Sequence, residues 1–149
     1  MSVWGVGSFD NDTALDLVEE LLEVDRGATI LVSSLQATAA TPLDELIDSE
    51  DAAETLVAAE YLAAAKGSAA DNLPEQAKQW LEENDLIAGD ILVGGSRDKK
   101  EKWLTDIALK AIGIIQSVNS ELNQMWEESE DYDEWLAGLD DLKARLTRS

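Results

Sequence analysis

The sequence predicts an all-α fold: a single compact domain of about six to seven helices behind a short, extended N-terminal arm. Three observations predict it. Apolar residues return at steps of three and four along nearly the whole chain, the period of a helix that buries one face. Helix stops and breakers fall between these stretches, at Gly27, Thr41-Pro42, Lys66-Gly67 and Pro74. The 149 residues, 45% of them hydrophobic, suit one domain (1–149) with a real core.

The arm, residues 1–10, holds Trp4, Gly5, Gly7 and Phe9. The first helix spans 12–25, with Ala14, Leu17, Val18, Leu21 and Leu22 on one face and Asp10, Asn11 or Asp12 as its cap. Gly27 reads as its stop. A second, mostly buried helix covers 28–40 and breaks at Thr41-Pro42; Leu43, Leu46 and Ile47 follow. A third runs over 50–66, capped by Asp48 or Ser49 and lined with alanines small enough for close helix contact. Pro74 opens a fourth, 74–83, with Trp80 and Leu81 inward.

Residues 84–96 read as a Gly-containing loop, with a brief extended piece at "ILV". Residues 97–118 then read as the central helix, its apolar face made of Trp103, Ile107, Ala111, Ile114, Ile115 and Val118. A short helix at 120–127 carries Leu122, Met125 and Trp126. The last, 131–146, places Tyr132, Trp135, Leu136, Leu139, Leu142 and Leu146 on one face. No repeat and no long heptad run is visible.

Composition removes several chemistries. With no Cys and no His, the chain has no disulfide, no thiolate or imidazole metal ligand, no Cys nucleophile and no His base. A metal would need oxygen ligands only. No basic-then-apolar leader opens the sequence, and no apolar stretch is long enough for a membrane span. These features set the expectation of a cytoplasmic protein with no cofactor.

Charge is the most unusual property, a net of −21. Residues 1–60 hold 14 acidic residues against Arg26 alone. One small basic island, Arg97, Lys99, Lys100 and Lys102, interrupts the acidic field. Such a field repels nucleic acid and anionic membranes and attracts basic proteins.

The stretch "WGVGSFDNDTALD" resembles the W-G-x-G-x-F-x-N-D-x-A-x-D opening of the bacterial family filed as domain of unknown function 4259. "AAETLVAAEYLAAAKG", "LPEQAKQWL", "MWEES" and "WLAGLDDLKARL" are similar to that family's later blocks in order and spacing. The resemblance covers nearly the whole chain. The "ILVGGSRDKKEK" stretch departs from it by looking longer and more basic. The family's activity is unassigned, so the resemblance implies the fold and a bacterial origin and carries over no catalytic residue.

The opening segment has two readings. Structurally, Trp4 and Phe9 bury themselves, each contributing about 2–3 kcal/mol, Gly5 and Gly7 let the arm fold closely over the helices, and Asn11 and Asp12 cap the first helix. Functionally, Asp10, Asn11, Asp12 and Asp16 form an oxygen-rich site for a cation or a basic side chain. The spacing fits neither an EF-hand nor a G-x-G-x-x-G phosphate loop. The structural reading is preferred, and no specific cation site is expected.

Two acidic segments are the candidate partner-binding sites. Asp16, Glu19, Glu20 and Glu23 share a stripe on the first helix, where like charges at this spacing repel by about 0.2–0.5 kcal/mol per pair. Glu127, Glu128, Glu130, Asp131, Asp133 and Glu134 repeat the theme around Trp126, Tyr132 and Trp135. These side chains read either as a solvated face or as a docking face for a basic partner.

No catalytic constellation emerges, since carboxylates are too numerous for any one pair to inform. The expectation is a non-enzymatic acidic binding module, of the immunity-protein or antitoxin kind, that covers a basic surface of a toxin or effector. A cation-dependent enzyme using the N-terminal carboxylates and a salt-adapted housekeeping domain are the alternatives.

Overall fold

Seven helices form among the residues that the computed structural model describes, 2–88 and 96–148. They are α1 (Asp12–Glu23), α2 (Gly27–Ala39), α3 (Ser49–Ala65), α4 (Glu75–Glu83), α5 (Arg97–Ile115), α6 (Glu121–Glu127) and α7 (Tyr132–Arg148). The all-α expectation holds. Part of the expected loop, 89–95, and with it the extended "ILV" piece, lies outside the described residues.

Side-chain caps fix several helix starts by taking backbone N–H groups that no helical turn can satisfy. Asn11 accepts from Ala14 N at α1, Asp48 from Asp51 N at α3, Ser96 from Lys99 N at α5 and Ser120 from Asn123 N at α6. Asn11 and Asp48 are thus the caps among the candidates considered. Pro74 sits one place earlier than expected, as the N-cap of α4. Lys66 caps the end of α3, and Gly67 turns the chain away at φ 96°.

Gly27 corrects the sequence reading. It begins α2 instead of ending α1, and it is buried. A Cβ there would lie 2.8 Å from Trp80 Nε1 and 3.1 Å from Leu21 Cδ2. The missing side chain lets α2 start against Trp80 of α4. The glycine signal was real, but its cause is close approach and not a stop.

The central helix is α3, not α5. It packs against all six other helices. An unbroken run from Thr55 to Ala63 is buried, so α3 shows almost no amphipathic face. Its alanines allow close approach from every side. Tyr61 and Trp80 meet at its flank with their rings tilted at 58°, ring centres 5.5 Å apart. In α5, by contrast, Leu104, Ala108, Ala111, Ile112 and Ile115 face the core; Trp103 and Ile107 are half-buried, and Val118 lies beyond the helix end, exposed.

Two cross-links tie distant segments. Lys66, at the end of α3, donates to Thr105 Oγ1 of α5 at 2.9 Å and to the carbonyl of Leu146 in α7. The connection before α3 pairs with the turn before α6: Ile47 N donates to Asn119 O and Glu121 N to Ile47 O, both at 2.9 Å. No helix among the described residues is long and apolar enough to cross a membrane.

Candidate functional site

The arm folds back on the start of α1. Val3 pairs antiparallel with Asn11, Trp4 N donates to Asp10 O, and Asp12 N to Ser2 O. Extended backbone sends successive side chains to opposite sides. Val3 therefore packs on the core, and Trp4 points away from it, 59% exposed. Phe9 is buried as expected. The burial of Trp4 is overturned, and the alternation of this short paired segment is the reason.

The acids of the opening segment are engaged with the chain's own backbone. Asp10 Oδ2 accepts Gly7 N at 3.0 Å, and Asp12 Oδ1 accepts Ser2 N at 2.9 Å. The side chain of Asp10 lies so close that a Cβ on Gly5 would come within 2.5 Å of it. Asn11 is the buried cap described above. Among the described residues, no group of three or more carboxylates is placed to hold a metal ion.

All four acids of the α1 stripe, Asp16, Glu19, Glu20 and Glu23, are exposed. So are Glu127, Glu128, Glu130, Asp131, Asp133 and Glu134. Beneath this second segment lie Trp126 and Trp135, buried and stacked with centroids 6.3 Å apart. Tyr132 stacks on Trp135, and its hydroxyl donates to Asn123 Oδ1 at 2.8 Å. Trp126 and Trp135 are packing elements, Tyr132 is half-buried over them, and the acids around them face solvent.

Folding brings Glu20 of the stripe beside acids that the sequence reading did not single out. A cleft of about 670 Å³ between α1, α2 and α3 is lined by Glu20, Glu45, Asp51 and Glu54, with Ser33, Ser34 and several threonines. Burial first, then Asp51, Glu20, Glu50 and Asp48, push the Glu54 carboxyl above its ordinary range. Burial, with Asp48 and Glu50 nearby, raises Asp51 as well. The signal available in sequence was the acidic start of α3, "DSEDAAE"; its meeting with α1 was not readable there.

A second cleft, about 450 Å³, has the opposite character. At its floor, Glu60 of α3 meets Arg145 of α7, Nη1 to Oε1 at 2.8 Å and Nη2 to Oε2 at 3.3 Å. Arg145 Nε also donates to Asp141 Oδ2 at 2.8 Å, and Ser8 of the arm donates to Glu60 Oε2 at 2.7 Å. Burial opposes the Arg145 cation, but Glu60 and Asp141 outweigh it and hold its pKa above the usual arginine value. The pair is fully hydrogen-bonded and buried, so it acts as a clasp between arm, α3 and α7. A lone acid inside the apolar run "LVAAEYLAAA" was its only sequence signal.

Two cations of the basic island are paired locally. Arg97 pairs with Asp85 at 2.7 Å and Lys102 with Asp106 at 2.9 Å, while Lys100 is buried. The Ala88 N–H, with Arg97 beside it, holds the Asp85 carboxyl below its ordinary range.

The model of the family described as "Domain of unknown function (DUF4259)" matches residues 2–138. No curated protein and no solved structure matches the chain.

Proposed function

The chain belongs to that DUF4259 family, and we propose that it serves in the bacterial cytoplasm as a non-enzymatic, acidic protein-binding module. On this reading it is an inhibitor of the immunity-protein or antitoxin type, which covers a basic surface of a toxin or effector. One observation carries the reading. The ten candidate carboxylates of α1 and of 127–134 are exposed, and none forms an ion pair among the described residues. The ion pairs that do form use Glu60, Glu75, Asp85, Asp106, Asp140 and Asp141 instead.

An unpaired acidic face suits capture of a basic enzyme surface. Long-range attraction speeds encounter, and carboxylates take the positions of an anionic substrate's charges. The enzymatic alternative has less support, because Asp10 and Asp12 accept backbone N–H groups of the arm.

The test is recovery of a basic partner from the host cell, with association that slows steeply as salt screens the attraction. Replacing Glu19, Glu20 and Glu23 together with Gln preserves helix propensity and should leave the fold intact while weakening that association. Unchanged rates in the triple variant would remove α1 from the interface. Recovery of no basic partner would overturn the reading.

A further inference from the structure

We propose that the junction of the α2–α3 and α5–α6 connections is a docking face, centred on Leu43, Leu46 and Val118, for a basic protein that presents an apolar side chain between Lys or Arg residues. The proposal rests on the binding reading above and places the partner's apolar contact.

These three side chains are 75%, 58% and 77% exposed. Isolated exposed leucines are ordinary, but these come from two connections that the backbone holds together. Asn119 Nδ2 donates to Leu43 O at 2.5 Å, and Ile47, next in sequence to Leu46, exchanges backbone bonds with Asn119, next to Val118, and with Glu121. Glu121 Oε1 also accepts Ser49 N at 3.0 Å. The apolar patch is therefore presented by a cross-braced pair of turns, and binding need not order it.

Its surroundings select the occupant. Asp44, Glu45, Asp48 and Glu50 are exposed nearby along the chain, and none pairs with a cation among the described residues. Leu46 and Glu45 also line the acidic cleft, whose walls include Glu20 of the α1 stripe. An apolar centre inside a charged rim is the anatomy of a transient protein interface. A second copy of this chain fits poorly: a two-fold contact would set the same acidic rim against itself, between molecules of net charge −21 each. Anionic lipid is repelled for the same reason. Charge complementarity leaves a basic protein surface with an apolar protrusion.

Two designed helical peptides of equal length and charge test this, one alternating Lys with Leu on an amphipathic face and one carrying Gln in place of Leu. Amide resonances of the full chain are followed during titration. The Lys/Leu peptide should shift residues 43–47 and 118–121 and bind about tenfold or more tightly than the Lys/Gln peptide. Replacing Leu43, Leu46 and Val118 together with Ser should abolish that difference while leaving the thermal midpoint unchanged. Should the triple variant fold poorly, Val118→Ser alone should still reduce the difference. Equal binding by the two peptides, or shifts confined to α1 and 127–134, would overturn the docking face and leave the acidic capture reading standing. Binding by neither would overturn both. A dimer in sedimentation equilibrium that Val118→Ser dissolves would show a second copy on the patch and overturn the assignment.

Discussion

Along α3, two carboxylate settings lie a short distance apart and have opposite surroundings. Glu54 sits in a cleft where its neighbours are Asp51 and Glu20, and its charged form is disfavoured. Further along the same helix, Glu60 is buried against Arg145, with the Ser8 hydroxyl on its second oxygen. One helix thus carries an acid that the fold neutralises and an acid that it leaves uncompensated. Where the interior needs a charge, the chain commits one of its few arginines. Where a surface can stay wet, it tolerates repulsion. Uncompensated carboxylates are accordingly a better guide to an external partner than carboxylates as such.

The largest effect should come from breaking the clasp. Arg145→Ala leaves Glu60 buried without its cation and should cost about 3–5 kcal/mol, read from denaturant midpoints. The double replacement Glu60→Leu with Arg145→Met should restore most of that loss, because apolar side chains need no charge partner. A single variant of near-native stability would show that the pair holds nothing together, and the contrast with the acidic cleft would collapse.

Ser8→Ala removes a hydrogen bond to a buried carboxylate and should cost about 1–2 kcal/mol. Its particular signature is local: amides of the arm, Trp4 and Asp10 among them, should exchange faster while the α3 amides stay protected. Equal protection in both proteins would mean that the arm is held without Ser8, by its backbone pairing and by Val3 and Phe9.

On the acidic side the sign reverses. Glu54 and Asp51 hold their protons more tightly folded than unfolded, where their ordinary values are 4.5 and 3.8. Their favourable contribution is therefore full below those values and is lost as pH rises through the raised folded values. Glu54→Gln should raise stability at neutral pH by a few tenths of a kcal/mol, about the size of one relieved like-charge pair. It should also flatten the decline of the thermal midpoint with rising pH in the weakly acidic range. A variant less stable than the parent at neutral pH would mean that Glu54 has a stabilising partner. The smallest change is expected for Trp4→Ala, within about 0.5 kcal/mol, since the ring is mostly in solvent. A large loss there would return Trp4 to the core.

Much of the helical order was legible because amphipathic periodicity is local. The stretch from Asp12 to Leu22 states its buried face within its own residues, and so does that from Trp135 to Leu146. What was not legible depended on partners elsewhere. The central place of α3 was hidden because a helix buried all round has no polar face to mark it. Gly27 carried an ambiguous signal, since a stop and a close approach call for the same residue. The direction of Trp4 followed from its pairing segment, which the pattern of the arm alone does not reveal. Of the candidate acids, their exposure was foreseeable from charge density, while the meeting of Glu20 with Asp51 and Glu54 required the packing of α1 on α3.

The clasp also has a consequence in time. Ser8 and Glu60 are separated by 52 residues in sequence, and Glu60 and Arg145 by 85. During synthesis, at about 5–20 residues per second, α3 emerges well before the arginine that neutralises its buried carboxylate. Until then, closing the helices around Glu60 would strand an unpaired charge. The burial of Glu60 is compensated only once α7 is present to supply Arg145. One guanidinium thereby couples the packing of α3 to a segment 85 residues further along the chain.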